Sequence, residues 1–185
     1  MPALLCQRLT NNEAVLRHFQ WVYEGDIRVP LIVKLPGKVR AELILEEPVI
    51  STDLYPTILE LSGLPLRPEQ HVDDVSLEPL LSGTRTSLER KAIYFHYPHY
   101  HHINTMGPAG AVRMVDYKLV EVFENGKVEL YNLRDDLGEI HDLAASMPEL
   151  TAKSIKMLYD WRDDSGAVMT TKDPDYKAEN DWRNH

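Results

Sequence analysis

The chain is short of most features from which a complete catalytic apparatus or a metal cluster is read. Cys6 is its only cysteine in 185 residues, so no internal disulfide can form and no zinc site of several thiolates can be built. No apolar run approaches the roughly 18 residues that cross a bilayer. The opening stretch MPALLCQRLTNNEAVL has too short an apolar core and the wrong flanks for a signal peptide. If the protein is exported, the signal is not expected there, and the compartment stays open. Positive charge is scarce as well: 20 Lys and Arg against 29 Asp and Glu leave a net charge of −9. Such a field argues against nucleic acid and anionic membranes as partners. There is no internal repeat, no G-x-S-x-G elbow and no glycine-rich phosphate loop. Ser51, Ser62, Ser76 and Ser82 fall at caps or turns, and Cys6 has no basic neighbour closer than Arg8 to favour a thiolate.

What remains is enough for a core. A 43% hydrophobic content and the chain length fit one domain, or a small domain plus part of another. Residues 1–20 read as a weak helix or an irregular lead-in. IRVPLIVKLPG is a short run, apolar on both sides, which predicts a strand buried on both faces as in a parallel sheet. In STDLYPTILELSGLP, Leu54, Ile58 and Leu61 recur at helical spacing, with Thr52 or Asp53 to cap the start and Gly63 and Pro65 to end it. VSLEPLLSG predicts one or two further turns of helix. KAIYFHY, GAVRM, YKLVEVF and VELYNL are short strands, and Asn125-Gly126 between the last two predicts a hairpin with a type I′ turn. SMPELTAKSIKMLYDW is a helix with Leu150, Ser154, Met157, Leu158 and Trp161 on one face, opened by a capping box of Ser146 and Glu149. This order predicts the edge of an α/β layer followed by a small antiparallel sheet with a C-terminal helix packed on it. The divisions are 1–21 as lead-in, 22–87 as the tail of the α/β layer, 88–165 as the sheet and helix, and 166–185 as a surface tail.

YFHYPHYHH, residues 94–102, gathers four histidines and four aromatic rings. Three readings are open. His96, His99, His101 and His102 could ligate a metal, making the chain a metal-binding module, but no thiolate, carboxylate or helical pair sits nearby in sequence to close the geometry. The same imidazoles and phenols could line an anion or sugar pocket, donating hydrogen bonds and stacking on sugar faces. Or Tyr94 and His96 simply pack on one face of a strand. The acid pairs Asp73-Asp74, Asp135-Asp136 and Asp163-Asp164 fall in loops or at helix ends, where Asp commonly caps.

The pieces YEGDIRVPLIVKLPGKV, PVISTDLYPTILELSGLP, DDVSLEPLLSG, IYFHYPHY, AGAVRMVDYKLV and VELYNLRDDLGEIHDLA, in that order, resemble the C-terminal part of the arylsulfatase-type sulfatases of the alkaline-phosphatase superfamily. The resemblance covers roughly residues 22–165. It implies hydrolysis of a sulfate ester, plausibly on a carbohydrate, with a formylglycine nucleophile made from a C/S-x-P-x-R motif and a calcium ion. Around Cys6 the chain reads Cys-Gln-Arg-Leu-Thr, with Arg8 in place of proline and Thr10 in place of arginine. Phe19 occupies the position of a sulfate-binding lysine, and Asp26 replaces the second glycine of the Y-E-G-G-x-R-V-P pattern. Asp73-Asp74 falls on a structural Asp-Gly, not on the calcium ligands. The resemblance therefore implies a C-terminal portion that is inactive alone, with no catalytic and no metal residues of its own. His96 and His99, with His101 and His102 beside them, would shape the leaving-group side. An interaction module that pairs with a separately encoded partner, or with itself, is the alternative.

Overall fold

The computed structural model describes residues 21–39, 42–100, 107–171 and 173–177. They divide into two compact units, one of residues 28–93, the other of residues 21–27 together with 94–177. Residues 1–20, including Cys6 and Phe19, lie outside the described residues.

In the first unit, residues 28–35 and 43–50 form no helix and enter no ladder among the described residues. Their burial alternates: Leu31, Val33 and Leu45 pack on a small core around Leu77 and Leu81. Val29, Ile32 and Ile44 stand out at 66%, 59% and 64% exposure. The expected strand buried on both faces is thus covered on one side only. A parallel strand needs neighbours on each edge and helices on each face, and none is present among the described residues. A 3-10 turn, Ser51–Asp53, leads into α2, Leu54–Leu61, and Gly63 follows at φ +73°. α3, Glu78–Leu81, ends before Gly83 in the same conformation, as its glycine predicted.

Asp53 stands at the N-cap position of α2, as expected, but its side chain makes no capping bond to that helix. It is fully buried and accepts a paired bond from Arg90, Nη1 to Oδ1 and Nη2 to Oδ2, both at 2.8 Å. The backbone N–H groups of Ile50 and Val75 donate to the same carboxylate. Arg90 also donates to the Pro48 carbonyl, so one ion pair ties three stretches of chain together, 48–53, Val75 and Arg90 itself.

The second unit opens with α1, Glu24–Ile27, and carries strands β1 (Ile93–Tyr97), β2 (Ala109–Arg113), β3 (Tyr117–Val122) and β4 (Lys127–Asn132) in that spatial order. β2–β3 and β3–β4 pair antiparallel, with Ala111 opposite Val120 and Leu119 opposite Leu130. The hairpin forms where Asn-Gly placed it, but its loop has four residues, Phe123–Gly126, and only Gly126 is at positive φ, +67°. A type I′ turn needs both central residues there. Instead, Asn125 turns its side chain inward, accepting from the Lys127 N–H at 2.9 Å.

α4, Pro148–Ser165, lies across one face of the sheet. Pro148 takes the first helical position, where its missing N–H costs nothing, so the helix starts one residue later than the capping box requires. Ser146 bonds the Leu143 carbonyl instead, and Met147 is the N-cap. The helix buries Ser154, Leu158 and Arg162 at four-residue spacing. It meets the sheet face of Val112, Leu119 and Leu130, each wholly buried. Gly166 closes it at φ +65°, with the Ala167 N–H returning to the Arg162 carbonyl.

Candidate functional site

The alternation of β1 decides where the histidine stretch goes. Tyr94 and His96 point toward α4: Tyr94 stacks on Trp161 at 5.0 Å, and His96 lies 5.6 Å from Phe123 and 6.4 Å from Trp161. Its Nε2 is 2.8 Å from the Val168 carbonyl, while Nδ1 is buried without a partner. Phe95 and Tyr97 point the other way, into a cluster of Trp21, Tyr23, Ala111, Val120, Tyr131 and Leu133. His99 is exposed, its ring edge-on to Tyr97 at 5.7 Å. His96 and His99 are therefore not brought together. His101 and His102 lie outside the described residues.

Two side chains from elsewhere bond the residues that flank 101–106, Tyr100 and Gly107. The Tyr100 hydroxyl donates to Glu124 Oε1 at 2.8 Å, and Trp21 Nε1 donates to the Gly107 carbonyl at 2.8 Å. A Cβ on Gly107 would stand 2.7 Å from Glu124 Oε2, so the carboxylate lies close against the glycine and would have to shift for a larger residue.

Below this rim, residues 21–27 are held to the sheet by buried charge. Glu24 is fully buried and pairs with Lys118, also fully buried, and with Arg113, each at 3.1 Å. Lys118 reaches Glu139 at 2.9 Å, and Glu139 accepts the Glu24 N–H at 2.7 Å. Burial raises the Glu139 pKa, with the Lys118 ammonium opposing it. Glu139 sits at φ +53°, a conformation a non-glycine residue adopts only when its surroundings over-determine it. The Tyr23 hydroxyl donates to Glu129, and burial, followed by that carboxylate, raises the pKa values of Tyr23 and Tyr131. None of these charged groups was singled out from the sequence. The signal was Lys118 itself, in register with Val120 and Val122 on the inward side of β3.

The described acids offer calcium no cradle. Asp53 is taken by Arg90. Asp136 accepts the Ile140 and His141 N–H groups, and Asp135 accepts from Asn132. Among the described residues, no three side chains of His, Cys, Asp and Glu are placed to share a metal ion.

A family model described as N-sulphoglucosamine sulphohydrolase, C-terminal, matches residues 16–164. A sulfatase of Formosa agariphila is 34% identical over 148 residues, covering 75% of this chain and 27% of its own length. An N-acetylglucosamine-6-O-sulfatase of Bacteroides thetaiotaomicron is 26% identical over 161 residues, covering 85% of this chain and 28% of its own. The chain thus spans little more than a quarter of these relatives' length. A protein solved in complex with its substrate, D-glucosamine-2-N,6-O-disulfate, superposes with a TM-score of 0.65 at 23% identity. That match covers 77% of this chain and 30% of that one.

Proposed function

The chain belongs to the sulfatases, in the family described by their C-terminal part, and on that footing we propose that it frames the substrate of a sulfuric ester hydrolase without turnover of its own. The carrying observation is the family match, which runs through the whole sheet and nearly all of α4. Relatives named or solved as acting on sulfated glucosamine favour a sulfated carbohydrate as the substrate.

Sulfuryl transfer needs an activated nucleophile and fixed positive charge around the sulfate oxygens. The family's formylglycine and calcium would supply both, from residues this polypeptide does not carry. The chain's own part is the rim. His99 presents an exposed imidazole beside the Tyr97 ring, able to donate to a sugar hydroxyl. His96 holds the β1 end through Val168, and His101 and His102 complete the same stretch of sequence. The purified chain is expected to hydrolyse an aryl sulfate no faster than buffer, with or without calcium. Turnover that His99→Ala abolishes would overturn this.

A second reading is favoured by the bare side chains of Val29, Ile32 and Ile44 in the first unit. Segments with one apolar side uncovered invite another chain. The occupant would be a polypeptide carrying the remaining part of a sulfatase α/β layer, or a second copy. Sedimentation at high concentration should show association; a clean monomer, with no complex formed on adding that polypeptide, speaks against it.

A further inference from the structure

We infer that Glu124 is a positioning residue of the proposed sugar rim, holding Tyr100 and with it the adjacent His99. The inference deepens the rim reading and rests on it. Glu124 projects from the β3–β4 loop, and that loop is itself fixed. The Gly126 N–H returns to the Val122 carbonyl and the Phe123 N–H donates to the Pro108 carbonyl, both at 2.9 Å. The second of these bonds sets Glu124 alongside the backbone entering β2. One carboxylate oxygen takes the Tyr100 hydroxyl, a charge-assisted bond of the stronger kind. The other lies close against Gly107, 2.7 Å from where a Cβ would stand, and the Gly107 carbonyl is bonded by Trp21. Residues 100 and 107 are thus referred to a single carboxylate on a third element. Tyr97 supplies the opposite wall, since its ring belongs to the buried cluster and meets the His99 ring edge-on. His99 is presented between a packed ring on one side and a tethered tyrosine on the other, which is how an exposed imidazole acquires a defined direction.

The experiment uses the full chain and reads backbone order and ligand affinity together. In the wild type, 15N order parameters at His99 and Tyr100 should approach the rigid value of about 0.85; Glu124→Ala and Tyr100→Phe should each drop them below about 0.6. The double variant should fall no further, and Glu124→Gln, which keeps an acceptor oxygen, should restore them. Amides of β2, β3 and β4 should not respond. With glucosamine 6-sulfate as the probe, the dissociation constant should rise about fivefold in Glu124→Ala and return in Glu124→Gln, the effect of losing one ordering hydrogen bond. Order parameters unchanged in Glu124→Ala overturn the positioning role, whatever the sugar does. Order parameters that respond while the wild type shows no shift with glucosamine 6-sulfate overturn the rim reading and leave the tether standing.

Discussion

The sheet unit and the first unit finish their cores to different degrees. In the sheet unit, α4 covers one face and residues 21–27 help cover the other, so Val112, Leu119, Val120 and Leu130 are wholly buried. In the first unit, Leu77 and Leu81 are the buried members of a cluster whose other residues are only half-covered, while Val29, Ile32 and Ile44 face outward. The first unit adds polar fixation to that cluster: the Asp53–Arg90 pair, and Thr57, which donates to the Asp53 carbonyl and accepts the Leu77 N–H. Polar fixation sets directions. Closing a core requires area removed from water, and the difference between the units is a difference in that area.

The largest effect should come from the charge buried within the completed unit. Lys118→Ala leaves Glu24 and Glu139 without their ammonium, and breaking a buried pair in this way costs about 3–5 kcal/mol. Trp21 and Trp161 both belong to that unit, so urea unfolding followed by tryptophan fluorescence reads it, and the midpoint should fall steeply. Next is Asp53→Asn, which weakens the hold on Arg90 and should cost roughly 2–3 kcal/mol, in the range of a hydrogen bond to a charged group. That loss should show as faster amide exchange in α2 with the tryptophan signal unmoved. Should both signals shift together, the two units would not be energetically separate.

Much of this was legible in the chain, for physical reasons. Short-range signals worked where local energetics decide: Gly63 and Gly83, expected to end their helices, and Gly126, expected in the hairpin turn, all take positive φ. The β1 alternation was legible too, and Tyr94 with His96 does pack on one face. Signals failed where one residue had two uses. Asp53 does take the cap position of α2, but its side chain goes to Arg90, which lies 37 positions away and is brought near only by the fold. Ser146 has the spacing of a capping box, and Pro148 pre-empts it. The run at 29–33 reads as buried because its side chains are apolar on both sides, yet burial needs a neighbour that hydrophobicity cannot supply. Glu24, Lys118 and Glu139 were missed because a charged side chain ordinarily means solvent, and only register shows that Lys118 in β3 points inward.

The comparison sharpens with pH, since the strongly shifted groups belong to the sheet unit. The Glu139 pKa is raised by burial, so between its unfolded and folded values the folded state holds the extra proton, and stability falls as pH rises through that window. Its contribution is present below the ordinary carboxylate range and is lost toward neutrality. Glu139→Gln should therefore flatten a mildly acidic stabilisation of the tryptophan transition. At the alkaline end, Tyr23 and Tyr131 keep their protons when folded and release them when unfolded. Above the ordinary phenol range, stability should fall with rising pH, and Tyr131→Phe should remove about one proton from that dependence. An unchanged slope in Tyr131→Phe would mean that the phenol is not sequestered.

The smallest expected effect tests the incomplete unit. Ile44→Thr exchanges an exposed apolar side chain for a polar one of similar branching, and an exposed substitution of this kind should move stability by no more than about 0.5 kcal/mol. Leu130→Ala, the same kind of loss at a wholly buried position, should cost about 2–5 kcal/mol. If the bare side chains serve a partner, Ile44→Thr has a second consequence that stability does not register. Association measured by sedimentation should weaken in Ile44→Thr while amide exchange in α2 stays as it was. Weaker association with unchanged folding is the mark of an interface side chain. If association and folding weaken together, Ile44 belongs to the unit's own core, and the apparent incompleteness would come from elsewhere.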